Sequence, residues 1–149
     1  MQQPINIGTA KELFLDDELI ESRRNVELVV NRPEKECVNV LVPEADWEQQ
    51  QIGPWVSVME EDGRYRMWYQ TRGAAKTDAS EKKDLTCYAE SDDGLRWRRP
   101  NLGLIEYGGS RNTNIVMPTG PYRAEGLGIF KDPNAPAAER YKCIGTSSV

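Results

Sequence analysis

Two Asp-Gly dipeptides constrain the fold of this chain most strongly, at 62–63 and 93–94. The first separates an apolar run at 55–59 from an aromatic run at 65–70, and the second follows a β-rich run at 85–90. Asp-Gly between such runs favours a tight hairpin, because glycine adopts a positive φ at little steric cost. The sequence therefore predicts two antiparallel hairpins, the first with strands at 55–59 and 65–70 and the second with strands at 85–90 and 95–98.

Further β-rich runs lie on both sides of these turns. A looser hairpin is expected from the run at 127–130, a turn through 132–136 and the run at 140–144. Two more strands are expected at 26–30 and 38–42, each ending near a proline. Helical periodicity is confined to 45–51, where a short turn or helix is expected. The polar stretch at 72–83, rich in small residues, is expected to be a loop.

Strand–turn–strand units that recur every 30–45 residues or so are typical of a β-propeller, in which each blade is one antiparallel sheet. A blade takes roughly 40–50 residues and a ring needs about four to eight blades. The 149 residues therefore predict an all-β fold, an incomplete β-propeller of about two to three blades. In this interpretation residues 1–149 are the N-terminal part of one propeller domain, with the remaining blades outside the chain. The alternative is a complete β-sandwich.

Composition narrows the chemistry. The chain carries 24 acidic and 19 basic residues, a net charge of −5, so nucleic acid is not expected as a partner. Histidine is absent, which excludes Ser-His-Asp catalysis and histidine-ligated zinc from these residues. The three cysteines, Cys37, Cys87 and Cys143, are far apart and are expected to be buried free thiols. We expect no metal and no cofactor.

Two further signals are missing from the sequence. No apolar run approaches the roughly 20 residues that span a bilayer, so a membrane partner is not expected. The first residues lack the basic and apolar regions of a secretory signal. Localisation is left open.

The stretch SDDGLRW at 91–97 resembles the S-x-D-G-x-x-W turn of glycosidase propeller blades. It is also close to the sialidase Asp box, but is one residue shorter. Its expected role is structural: Ser91 and Asp93 bond the turn backbone, Gly94 takes a positive φ, and Trp97 packs on the sheet.

An ordered set of motifs extends this resemblance over nearly the whole chain. It comprises LFLDD at 13–17, WE at 47–48, YRMWY at 65–69, SDDG at 91–94, GSRNTNIV at 109–116 and FKDP at 130–133. The set resembles bacterial proteins related to the N-terminal propeller of glycoside hydrolase family 32 and, more distantly, family 43. That resemblance implies a five-bladed propeller with a carboxylate-lined central pocket. Such proteins are often exported.

The resemblance also implies catalytic residues. Glycoside hydrolysis uses two carboxyl groups that flank an oxocarbenium-like centre. FKDP resembles the family 32 Arg-Asp-Pro motif with lysine in place of arginine, so Asp132 is the expected transition-state-stabilising carboxylate, or else an ordinary turn residue. The place of the family's nucleophile matches 52–55, which holds no carboxylate. The candidate replacements are Asp46 and Glu48, just upstream, or Asp17.

Four residues are candidate substrate contacts. Trp47 and Trp55 could stack on sugar rings, or pack in the core. Glu90 could accept hydrogen bonds from sugar hydroxyls, and Arg72 could orient a carboxylate or hydroxyl.

Three functions stay open at this point. The first is a glycoside hydrolase acting on a carbohydrate substrate, with residues 1–149 inactive alone. The second is a propeller that binds carbohydrate without hydrolysing it, and the third is a scaffold for protein partners.

Overall fold

The computed structural model describes residues 5–9, 11–35, 39–49, 51–74, 82–117 and 127–145, with only the backbone at 72–74 and 82–83. The chain divides into two compact units, Met1–Glu36 and Cys37–Val149. In the described residues all regular structure is β, apart from one 3-10 turn at Ala137–Glu139. The all-β fold class is therefore confirmed.

The first unit consists of turns and extended backbone in its described part. The Ile20 N–H donates to the Asp17 carbonyl (3.0 Å), and Arg23 forms an ion pair with the Asp17 carboxylate. The strand predicted at 26–30 is wrong, since this stretch has no strand partner and its side chains are exposed, Val30 to 88%. High β-propensity does not form a strand without a neighbour to pair with.

The second unit contains a four-stranded antiparallel sheet in sequential order. Its strands are β1 (Ile52–Glu61), β2 (Arg64–Ala74), β3 (Lys82–Ser91) and β4 (Ile115–Met117). The first predicted hairpin is confirmed, because Glu61 pairs with Arg64 across a two-residue turn. Asp62 (φ 55°) and Gly63 (φ 73°) are both left-handed, as a type I′ turn requires.

One face of this sheet forms the hydrophobic core. Its buried members are Met67, Tyr69, Leu85, Cys87, Ala89 and Ile115. Cys87 is a buried free thiol as predicted, but Cys143 is exposed and Cys37 lies outside the described residues. Most of these side chains come from β2 and β3, the two central strands, each of which is paired with a neighbouring strand on both sides.

The second predicted hairpin is wrong in its outgoing half, because the Asp-Gly turn that follows β3 does not lead into a strand at 95–98. The run at 95–98 contributes only one bridge, in which Glu90 and Arg98 exchange two backbone hydrogen bonds of 2.9 Å. The same edge of β3 is then taken over by β4, since the Tyr88 N–H donates to the Asn114 carbonyl (2.9 Å). The long connection at 99–114 therefore returns to the same sheet.

The turn at 91–97 has the predicted structural role. Ser91 Oγ accepts from the N–H groups of Asp93 (3.2 Å) and Gly94 (2.8 Å), and Asp93 Oδ1 accepts from those at 95–96 (2.8 and 2.7 Å). These backbone hydrogen bonds lower the pKa of Asp93 to about 2. Gly94 has φ 75°, and Trp97 donates to the Gly94 carbonyl (3.0 Å) while packing on the core.

A separate two-stranded sheet confirms the third predicted hairpin. Its strands are β5 (Gly128–Lys131) and β6 (Tyr141–Ile144), paired antiparallel. It lies against β1, where the Ile129 N–H donates to Ser57 Oγ (3.0 Å). All four residues of β6 are exposed.

Two predictions at element ends need correction. The strand predicted at 38–42 is not formed at 39–42, where the chain bends and the Val42 carbonyl accepts from Arg99, while Val38 lies outside the described residues. The polar loop predicted at 72–83 is shorter, because β2 and β3 stay paired out to Ala74 and Lys82.

In the part of the chain with assigned structure, we find no helix long and apolar enough to cross a membrane.

Candidate functional site

A turn at 46–49, before β1, brings one carboxylate into the interior. The Glu48 N–H donates to the Ala45 carbonyl (2.9 Å), as expected for a turn at 45–51. Glu48 Oε2 in return accepts from the N–H groups of Glu44 (2.7 Å) and Ala45 (3.0 Å). The side chain thus closes the turn that carries it.

Glu48 is fully buried and ion-paired. Its Oε1 accepts from Tyr69 Oη (2.6 Å) and Arg99 Nε (2.8 Å), and its Oε2 accepts from Arg99 as well (3.2 Å). Burial alone would raise the pKa of Glu48, but the hydrogen bonds from Arg99, Tyr69 and the turn backbone outweigh it and lower the pKa. Glu48 is therefore an anion with both oxygens engaged inside the protein.

Arg99 joins this carboxylate to the surface. Its side chain is 13% exposed and also donates to Glu44 Oε2 (3.0 Å) and to the Val42 carbonyl. Burial would lower the pKa of Arg99, but the hydrogen bond to Glu48 and the nearby charges raise it. One guanidinium thus faces two carboxylates, one buried and one at the surface.

Asn114 fixes the orientation of Trp47. Asn114 Nδ2 donates to Tyr69 Oη (2.8 Å) and the Tyr88 carbonyl (2.7 Å), and its Oδ1 accepts from Trp47 Nε1 (3.0 Å). The Trp47 ring also meets the Tyr107 ring edge-on, with centroids 6.0 Å apart. The indole is therefore held on two sides.

These groups border an open cleft of about 300 Å³. We call it the Trp47 cleft; its principal lining side chains are Glu44, Trp47, Arg99, Asn101, Asn112 and Asn114. Its walls are the turn at 46–49 and the connection between β3 and β4. The lining combines one aromatic ring with three amides and a paired guanidinium.

Two of the three amides are available to a ligand. Asn101 and Asn112 are exposed, whereas Asn114 is 1% exposed. Asn101 Oδ1 accepts from the Gly103 N–H (3.1 Å), which leaves its amide N–H groups free within the described residues. Within the described residues, the Asn112 side chain makes no hydrogen bond. Unpaired amides at the surface of a concave site can bond a polar ligand.

The predicted catalytic carboxylates are not brought together, and one of them, Asp17, is ion-paired with Arg23 in the first unit. Glu48 and Asp46 share the turn at 46–49; Glu48 is buried and Asp46 is exposed near Tyr107, whose pKa is raised by burial and then by the Asp46 charge. Asp132 follows β5, where it accepts from Lys142 Nζ (2.7 Å) and the Asn134 N–H (2.9 Å). These partners belong to its own hairpin, and they lower the pKa of Asp132.

The predicted substrate contacts are also dispersed. Trp47 lines the cleft and also packs against the core, as the alternative prediction had it. Trp55, 48% exposed on β1, borders a narrow gap with Trp68 and Ile129. Glu90 on β3 accepts from Tyr88 Oη (3.1 Å) and Arg98 (3.2 Å). Arg72 lies near the end of β2, where its backbone is opposite Asp84 in the register with β3, and its side chain lies outside the described residues.

Sequence reasoning missed the partners that organise the cleft. Tyr69, Arg99 and Asn114 were not among the candidates, although Arg99 stands in a basic cluster with Arg96 and Arg98. These residues are distant from Glu48 in the sequence, by 51 residues for Arg99, so the sequence alone does not indicate the pairing. Among the residues with assigned positions, no group of three Cys, Asp or Glu side chains could hold a metal ion.

Comparison with known proteins gives one relative. Over 78 residues the chain is 30% identical to the uncharacterized protein Rv1502 of Mycobacterium tuberculosis. The match covers 52% of this chain and 24% of that protein, so the chain spans about a quarter of its relative. No protein-family model matches the chain, and no solved structure matches it.

Proposed function

We propose that this chain is the N-terminal part of a β-propeller protein that binds glycans, and that the Trp47 cleft contributes to its sugar site. The observation that carries the proposal is the cleft lining, an oriented indole beside exposed amides. Aromatic faces stack on the apolar faces of sugar rings, and planar amides bond pairs of hydroxyls.

Sheet topology supports the propeller part of the proposal. A propeller blade is a four-stranded antiparallel sheet of sequential strands. The order β1-β2-β3-β4 fits that description, and the β5–β6 hairpin fits the beginning of a second blade. The two-stranded sheet lies against β1.

Hydrolysis is the second candidate, favoured by one observation. The FKDP stretch at 130–133 resembles the family 32 motif, which makes Asp132 the candidate nucleophilic or stabilising carboxylate. Glu48 is ionised, but both its oxygens are bonded within the protein. Cleavage needs a second, protonated carboxyl group near the first.

A glycan array probed with the 149-residue chain tests the proposal. We expect binding to one or more glycans, and we expect Asn112→Ala to weaken it about 2- to 10-fold, the effect of one lost hydrogen bond. Asn134→Ala, on the exposed β5–β6 connection, is the matched control and should bind as the parent chain does. Absence of binding to every glycan, or equal binding by Asn112→Ala, contradicts the proposal.

Hydrolysis is tested separately with the protein that contains this chain. Release of reducing sugar that is abolished by Asp132→Asn supports the catalytic role of Asp132. Unchanged release in that variant makes Asp132 a turn residue only.

A further inference from the structure

We infer that Glu44 makes the Trp47 cleft selective for neutral sugars over uronic acids. The inference rests on the proposed function and adds to it the charge class of the ligand. It follows from the hydrogen bonds that the guanidinium of Arg99 already makes within the protein.

Arg99 has little capacity left for an anionic ligand. An arginine carries five N–H donors. In Arg99, Nε donates to Glu48, one terminal nitrogen donates to Glu48 and the Val42 carbonyl, and the other donates to Glu44. Four donors are therefore engaged, and the bidentate geometry that binds a ligand carboxylate is no longer available.

The charges at the cleft sum to a negative value. Arg99 faces both Glu48, which is buried, and Glu44, whose side chain is 67% exposed at the rim. Two carboxylates and one guanidinium leave one negative charge uncompensated, and this charge repels the carboxylate of a uronate that enters the cleft. A neutral sugar in the same cleft carries no charge for that carboxylate to repel, and it can bond the amides and pack on the indole.

Neighbouring arginines do not offset this charge. Arg96 pairs with Asp93 (3.0 Å), and Arg98 pairs with Asp92 (3.0 Å) and Glu90 (3.2 Å). The basic cluster at 96–99 in the sequence is therefore neutralised in the fold, and it does not form an anion site.

Matched ligand pairs test the inference. Glucose and glucuronate, galactose and galacturonate, and mannose and mannuronate differ only in the oxidation of C6. Affinities for the 149-residue chain are measured by NMR titration at low salt. We expect each neutral sugar that binds to bind about 2- to 5-fold more tightly than its uronate, with the preference shrinking at high salt.

The Glu44→Gln variant isolates the cause. It removes the rim charge but retains an amide oxygen that Arg99 can bond, so we expect uronate binding to rise while neutral binding stays unchanged. Glu106→Gln is the control, an exposed carboxylate 4.0 Å from Arg111; it should leave both affinities unchanged. Thermal unfolding confirms that each variant is folded.

The outcomes separate the two proposals. Uronates that bind as tightly as neutral sugars, or a preference that survives in Glu44→Gln, overturn the role of Glu44 while leaving glycan binding intact. Absence of binding by both sugar classes, in the array and in the titrations, overturns glycan binding itself.

Discussion

The four-stranded and two-stranded sheets are built from similar hairpins but are stabilised differently. In the four-stranded sheet, Tyr69, Cys87 and Ile115 are completely buried. In the two-stranded sheet every residue of β6 is exposed, and Ile144 is 68% exposed. Strand pairing alone therefore gives little burial, and burial comes only where a sheet face is covered.

Polar contacts hold the two-stranded sheet to β1 instead. Glu61, at the end of β1, accepts from Lys131 of β5 and from Tyr141 of β6, and Arg66 bonds both Glu61 and Tyr141. Trp68 adds a ring contact to Tyr141 with centroids 6.0 Å apart. The attachment of this sheet should therefore respond to pH, whereas the core of the four-stranded sheet should not.

The largest expected effect is the loss of the buried carboxylate beneath the four-stranded sheet. Glu48→Ala removes the buried carboxylate partner of Arg99, which keeps only Glu44 at the rim and the Val42 carbonyl, and it also removes the acceptor of Tyr69. Breaking a buried ion pair in this way costs about 3–5 kcal/mol of unfolding free energy. Urea denaturation measures it.

Glu106→Ala is the control for that experiment, because the Glu106 side chain is 58% exposed. It should change the unfolding free energy by less than about 0.5 kcal/mol. Equal effects of the two substitutions would mean that Glu48 is not buried as described.

Truncation of one isoleucine in each sheet compares how much side-chain burial stabilises the two sheets, because the chemical change is the same in both. Ile115→Ala in β4 removes a fully buried side chain and should cost about 2–5 kcal/mol. Ile144→Ala in β6 should cost less than about 0.5 kcal/mol, because its side chain is already exposed. Urea denaturation of both variants decides. A large loss for Ile144→Ala would contradict the exposure of β6 and with it the difference between the two sheets.

The pH dependence of the Glu61 contacts has the smallest expected effect. The hydrogen bond from Lys131, then that from Tyr141, lowers the pKa of Glu61 from 4.5 to about 2. A lowered pKa contributes stability that is present above pH 4.5 and is lost as the pH falls towards 2. Wild type should therefore exceed Glu61→Gln in Tm at pH 6, and the gap should close on acidification.

The exposed Glu139 provides the comparison. Glu139→Gln should show no such pH-dependent gap against the wild type. A gap for Glu61→Gln that is constant from pH 6 to 2 would contradict the assigned contacts.

Local rules predicted the first and third hairpins correctly, but not the second hairpin or the strands at 26–30 and 38–42. Asp62 and Gly63 determine their turn through their own backbone angles, so the sequence alone suffices there. The run at 26–30 has equal β-propensity but no strand partner, and the run at 95–98 competes with β4 for one edge of β3. Such competition depends on residues distant in the chain.

The candidate site was predictable only in its local part. The WE dipeptide at 47–48 supplies both the indole of the cleft and the buried carboxylate beneath it. Arg99 and Asn114 reach them across 51 and 67 residues, and no local pattern marks those pairings. The assignment of Asp132, Glu48 and Asp46 to catalysis stays a prediction.

The indole N–H signals in a proton–nitrogen NMR spectrum test glycan binding at the Trp47 cleft most directly. The chain has four tryptophans; Trp47 lines the cleft, whereas Trp55 and Trp68 border a separate gap. On titration with a glycan that binds in the array, the signal of Trp47 should shift, while those of Trp55 and Trp68 stay in place. A shift of Trp55 or Trp68 with Trp47 unmoved would place the sugar elsewhere and contradict the proposed site.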